Sequence, residues 1–178
     1  MAVRKMVNRS AIAEAALHIV QTEGVEALTM RTLANELGIK APSLYDHVKN
    51  RDEVIALVQS EGLRDFGEKF AAAGKTTRDK VMFYRAWALQ NPRLYPVVFQ
   101  IRLQRELITP GLEISVLAQV VEAAGGSHIR ARALWAQLHG LVDLELQQRV
   151  PDDADMDATW ESVVSTVEAS HTANSRTP

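Results

Sequence analysis

The sequence contains no cysteine. Disulfides and thiolate metal sites are therefore excluded, which fits a reducing compartment such as the cytoplasm. No apolar run approaches the roughly 18 residues a membrane-spanning helix needs. The start, MAVRKMVNRSAIAEAALHIV, has the positive charge of a signal peptide, but Glu14 and His18 interrupt the apolar run at amphipathic-helix spacing. The expectation is a soluble intracellular protein with no membrane partner. Also missing are internal repeats, low-complexity tracts and any convincing strand alternation. No nucleophile elbow, phosphate loop or metal-ligand cluster is present, so catalysis has no motif to rest on. Neither a cofactor nor a metal is expected.

What is present suits a helical domain with a core. Of 178 residues, 47% are apolar, enough to make disorder an expectation only for the ends, including the tail HTANSRTP. The net charge of −2 is unevenly divided. Residues 1–51 hold seven basic and five acidic side chains, net +2, leaving −4 for the rest. A mildly basic head on an acidic body suits local contact with phosphate.

Helical spacing runs through every long segment. The first helix is expected over about 8–23, with Ile12, Ala15, Ala16, Ile19 and Val20 inward and Gly24 closing it. Thr29 is placed to cap a second helix. Gly38 ends that helix where the backbone calls for positive φ. Ile39 and Leu44 anchor a third helix, and Ala34 lets it cross the second closely. Asn50-Arg51-Asp52-Glu53 opens a fourth helix, close to a capping box. Further helices are expected over about 77–90, after Asn91-Pro92, after Thr109-Pro110 as far as Gly125-Gly126, from Ser127 to about Arg149, and from about Asp157 to Ser170. The fold class is all-α, with about nine helices. Two short helices joined by a glycine turn are the plan of a helix-turn-helix, whose second helix enters the DNA major groove.

The residues LTMRTLANELGI and PSLYDHVKNRDEV resemble the DNA-binding domain of the TetR family of bacterial transcriptional regulators. The match is strongest over residues 8–58. In the body, YRAWALQNPRLYPVVF and LWAQLHGLVDLEL resemble a C-terminal domain with a Trp-x-x-x-His-Gly signature, here Trp135, His139 and Gly140. The resemblance implies a helix-turn-helix domain over 1–51, a connecting helix over about 51–70, and a ligand-binding and dimerisation domain over 71–178. It also implies a homodimer that binds a double-stranded operator and leaves it when a small-molecule effector fills the body. The two departures from the family pattern are Lys40, where Ser or Thr often caps the third helix, and the acidic Asp46 close to DNA.

Candidate DNA contacts divide by chemistry. Tyr45, Lys49 and Arg51 suit phosphate, as do Thr29 and Arg31 at the start of the second helix. Arg31 could instead reach a guanine edge. Base reading falls to Lys40, Ala41, Pro42, Ser43 and Asp46, with His47 as a further candidate. Arg4, Lys5 and Arg9 either follow the minor groove or stay solvated. In the body, Tyr84, Trp87, Tyr95, Phe99, Trp135 and His139 are candidates for an apolar pocket, although for each of them helical spacing favours plain core. His139 and Asp143 have metal-ligand spacing, but a buried histidine bonded to a backbone carbonyl accounts for the pattern with fewer demands. Leu134, Leu138, Leu141, Val142, Trp160, Val163, Val164 and Val167 form an apolar stripe. Members of it that do not face the subunit core are expected to meet a second copy. Two other functions stay open on residues alone: an adaptor whose helix-turn-helix binds protein, and a hydrolase using Ser, His and Asp.

Overall fold

The computed structural model describes residues 7–174, with side chains described as far as Ser170. Among these residues there are eight α-helices and no strand, as an all-α fold requires. They are α1 (Arg9–Glu23), α2 (Met30–Glu36), α3 (Arg51–Ala72), α4 (Thr77–Gln90), α5 (Tyr95–Phe99), α6 (Leu112–Ala123), α7 (His128–Leu146) and α8 (Met156–Asn174). Two 3-10 helices, Val25–Ala27 and Ala41–Asp46, complete the set. No helix among the described residues is long and apolar enough to cross a membrane.

The chain divides into two compact units, and the boundary falls inside α3. Described residues up to Asp65 join Asn91–Leu112 in the first, while Phe66–Gln90 joins the residues from Glu113 onward in the second. Residues 91–112, which the sequence division placed in the body, thus belong to the first unit. The middle of α3 holds them there. Gln59 Nε2 donates to the carbonyls of Val97 (3.1 Å) and Arg102 (3.4 Å), and Thr109 N donates to Ser60 Oγ (3.0 Å). A Cβ at Gly62 would stand 2.3 Å from Val98 Cγ2, so glycine is what allows α5 to lie this close.

The core of the first unit is built on α1, whose Ile12, Ala16, Ile19 and Val20 are buried with Leu28, Leu33, Leu44, Val54 and Val58. Asn8 caps α1 by accepting from Ala11 N at 2.9 Å. Gly24 closes it at φ 93°. Each of the large buried aliphatics contributes about 1.5–3 kcal/mol by leaving water.

The second unit packs α4 against α7 and α8. Phe66, Phe70, Tyr84 and Trp87 form one aromatic cluster, with Phe66 5.1 Å from Trp87 and 5.9 Å from Tyr84. Arg85 of α4 grips Glu145 of α7 (Nε–Oε1 3.0 Å, Nη2–Oε2 2.9 Å), and its Nη1 reaches Asp157 of α8 (2.5 Å). The buried Trp160 indole also donates to Glu145, so one carboxylate ties three helices. The buried Lys80 ammonium donates to the carbonyl of Phe70 in the last turn of α3, where a cation meets the negative end of the helix dipole. Burial pushes Lys80 below the ordinary lysine range.

Several helix ends differ from the sequence expectation. Asn91-Pro92 does not open a helix: Asn91 O accepts from Leu94 N (3.1 Å) and Tyr95 N (2.8 Å), and α5 starts at Tyr95 with Pro96 in its first turn. Thr109-Pro110 stops short as well, because Gly111 at φ 89° delays α6 to Leu112. α7 ends at Leu146 rather than near Arg149, since Gln148 turns left-handed at φ 51° and Arg149 N returns to Leu144 O at 2.9 Å. The tail expected to fray remains helical through Asn174, and residues 175–178 lie outside the described residues, as do Arg4 and Lys5.

Candidate DNA-binding surface

α2 begins with a reciprocal cap. Thr29 Oγ1 accepts from Thr32 N (3.1 Å), and Thr32 Oγ1 accepts from Thr29 N (2.9 Å). It ends at a glycine turn: Gly38 adopts φ 66°, Gly38 N donates to Asn35 O and Ile39 N to Ala34 O, each at 3.0 Å. Buried Leu33 and Ala34 supply its inner face.

The second helix of the motif is a 3-10 helix. Ser43 N bonds to Lys40 O and His47 N to Leu44 O, both at 2.9 Å and both i to i+3. Pro42 in its first turn has no amide to donate. Three residues per turn align its side chains in rows. Ala41, Leu44 and His47 form the inner row, with Leu44 fully buried and the other two half-buried. Pro42 with Tyr45, and Ser43 with Asp46, form two rows facing solvent, and Tyr45 is 57% exposed. Lys40 stands at the cap position and makes no side-chain cap, as expected of a lysine.

Lys40 and Lys49 flank these rows in the chain, and Arg31 stands in the first turn of α2. The side chains of Arg31, Lys40 and Lys49 are exposed and have no hydrogen bond or ion pair among the described residues. The Lys49 amide, by contrast, is engaged. It donates to Glu53 Oε2 (2.7 Å), while Asn50 Oδ1 caps α3 by accepting from Glu53 N (2.9 Å). The capping box therefore closes one residue earlier than its usual form. Glu53 Oε1 also pairs with Arg9 Nη1 (2.6 Å), which reaches His47 O as well (2.9 Å). The Lys49 amide and then the Arg9 guanidinium hold the Glu53 carboxyl below the usual carboxylate range.

Arg51, read from the sequence as a phosphate contact, is engaged with main-chain carbonyls. Its guanidinium turns inward, Nε donating to Leu28 O (2.6 Å) and Nη2 to Val25 O (2.8 Å). The signal that would have found this is its place at the positive end of α3, where an exposed cation is disfavoured.

The six aromatic and histidine candidates of the body do not gather in one unit. Tyr84, Trp87, Trp135 and His139 lie in the second unit, Tyr95 and Phe99 in the first. Tyr84, Trp87 and Tyr95 are buried. Tyr84 packs edge-on to Trp135 (5.2 Å), and Trp135 lies 4.7 Å from the His139 ring. His139 Nδ1 sits 2.9 Å from Trp135 O and 3.1 Å from Tyr84 Oη, the carbonyl-bonded histidine anticipated from sequence. Burial pushes its pKa below the ordinary 6.5 and the carbonyl only partly opposes this. No group of three or more His, Asp or Glu among the described residues is placed to hold a metal ion.

The apolar stripe of α7 and α8 divides. Leu134, Leu138, Val142, Trp160, Val164 and Val167 are buried within the chain itself, which removes them from any surface offered to a partner. Leu141 and Val163 keep exposed area, and with Gly140, Leu144 and Thr159 they line a shallow apolar depression between the two helices. One further polar group went unread in the sequence. Gln59 is fully buried, and because both its amide protons face carbonyls, its Oε1 has no donor among the described residues.

Comparison with known proteins agrees with this architecture. The family described as bacterial regulatory proteins, tetR family, matches residues 12–58, and the tetracyclin repressor-like C-terminal domain matches residues 80–167. An uncharacterized HTH-type transcriptional regulator of Mycobacterium tuberculosis is 31% identical over 172 residues, covering 88% of this chain and 78% of that protein. The class D tetracycline repressor protein of Escherichia coli is 36% identical over 83 residues, covering 44% of this chain and 38% of the repressor. Among solved structures, the regulator SCO7222, a TetR from Streptomyces coelicolor, superposes with a TM-score of 0.63 at 16% identity, covering 94% of this chain and 98% of that one. That likeness speaks to fold alone. The chain belongs to the TetR family of bacterial transcriptional regulators, and is a helix-turn-helix DNA-binding protein rather than an enzyme.

Proposed function

We propose that this regulator is a homodimeric repressor of the cytoplasm that binds a palindromic operator and is released from it by a small-molecule effector. The observation that carries the DNA-binding part is the short helix Ala41–Asp46. It is anchored by one buried side chain, Leu44, and turns two solvent-facing rows outward between unpaired cations. In this reading Tyr45, Lys49, Thr29 and Arg31 meet phosphate. Pro42 and Ala41 touch thymine methyls, Ser43 and Lys40 read base edges, and Asp46 accepts from a cytosine amino group. His47 is a further candidate and, like Ala41, lies half-buried on the inner row.

The dimer reading draws on the exposed apolar depression at Leu141, Leu144 and Val163, which a second copy of α7 and α8 would cover. Repression and effector release draw on the relative named as a tetracycline repressor. Selection of bound duplexes from a randomised pool tests the proposal. The expected product is an inverted repeat with half-sites about one helical turn or slightly more apart, bound with an affinity that falls steeply with salt. Failure to enrich any duplex, or a flat salt response, would sink it.

A further inference from the structure

Two cations stand two residues apart at the entrance to α3, and their surroundings are opposite. The Lys49 side chain is exposed and unpaired among the described residues, whereas Arg51 is half-buried and its Nε and Nη2 are both bonded to main-chain carbonyls. One N–H meets Leu28 O and another meets Val25 O, at 2.6 and 2.8 Å. These carbonyls belong to the 3-10 turn Val25–Ala27 and its last cap, directly before the Thr29 cap of α2. Leu28 is itself 1% exposed, so this segment is seated in the core as well as held by the guanidinium.

We infer that Arg51 is a positioning residue that fastens the first turn of α3 to the segment entering α2, and that it makes no phosphate contact. The inference rests on the DNA-binding reading given above. Charge-assisted bonds from a rigid fork to two carbonyls fix direction as well as distance, which a single flexible ammonium does not do. Any rotation of the first turn of α3 is then carried to Thr29 and Arg31. The placement of the exposed rows Pro42–Tyr45 and Ser43–Asp46 against DNA depends on α2, which crosses the helix that bears them. With these N–H groups bonded to carbonyls rather than to phosphate, Arg51 contributes to affinity by position and adds no phosphate contact to the salt dependence.

The test uses the full chain and a duplex that the wild-type protein selects from a randomised pool. Dissociation constants are measured across a salt series for wild type, Arg51→Lys, Arg51→Met and Lys49→Met. Both Arg51 variants are expected to bind at least about tenfold more weakly with the wild-type log-log salt slope, while Lys49→Met loses about 0.9 from the slope. A slope reduced by about 0.9 in Arg51→Met, with affinity and slope restored in Arg51→Lys, would overturn the inference. Wild-type protein supplies a second reading that requires no folded variant: exchange of the arginine Nε–H with water, followed by NMR. The Arg51 proton is expected to be protected already in the free protein. Rapid exchange that slows only on adding the duplex would overturn the inference. Should the wild-type protein select no duplex, the regulator reading fails, and the exchange measurement still decides what Arg51 does.

Discussion

Lys49 and Tyr45 are both exposed, and both are proposed phosphate contacts. A phosphate contact made by an ammonium releases counterions, whereas a hydroxyl contact does not. Lys49→Met is therefore expected to lower both affinity and salt slope, the latter by about 0.9, whereas Tyr45→Phe lowers affinity and leaves the slope alone. Binding titrations at several salt concentrations separate the two. His139 makes a different prediction. Burial depresses its folded pKa below the 6.5 of an ordinary histidine, so the unfolded chain binds the proton more readily. Its contribution to stability is complete above pH 6.5 and is lost as pH falls from there toward the lowered folded value. Urea midpoints measured at pH 7.5 and 5.5 should drop further for wild type than for His139→Gln; equal drops would remove His139 as the cause.

At the scale of elements, caps and close approaches carry the predictions. Thr29 and Thr32 satisfy each other's backbone amides at the start of α2, and losing that cap in Thr29→Ala is expected to cost about 1 kcal/mol in chemical unfolding. Gly62 is more demanding. An added methyl there meets Val98 at 2.3 Å, so Gly62→Ala forces α5 away from α3, at a cost of about 1–3 kcal/mol. The paired variant Gly62→Ala with Val98→Ala should recover part of that loss, and a purely additive result would argue against the contact. Helix existence was legible from apolar periodicity and from Thr29, Gly38 and Ser127. The starts of α5 and α6 were not, because a proline marks a permitted first turn equally well in a helix and in the turn before one.

For the whole molecule, acid sensitivity and assembly are the measurable properties. Glu53 holds the Lys49 amide and Arg9, and its folded pKa is lowered for that reason. Its contribution to stability is present above the ordinary value of 4.5 and is lost as pH falls through the lowered one. Glu53→Gln should therefore unfold with a shallower pH dependence below 4.5 than wild type does. If the dimer forms through α7 and α8, charges at Leu141 and Val163 should yield a monomer in sedimentation and weaken operator binding more than tenfold, since the half-sites are then bound independently. A dimer that survives both substitutions would place the interface elsewhere.

The sequence by itself determined the helical class, the turn at Gly38, the cap at Thr29 and the family, because these follow from local periodicity, backbone sterics and a motif of contiguous residues. It marked Tyr45, Lys49 and Arg51 together as phosphate contacts, since all three are polar and adjacent to the motif. Only the tertiary structure separated Arg51 from the others, by bringing the carbonyls of Val25 and Leu28, more than twenty positions away, within reach of its guanidinium. The same holds for the apolar stripe of α7 and α8. Its eight members share one pattern, and the packing of α4 against both helices decides which are core and which remain exposed. Direction along a helix is written locally, but what a side chain faces is set by elements distant in the chain.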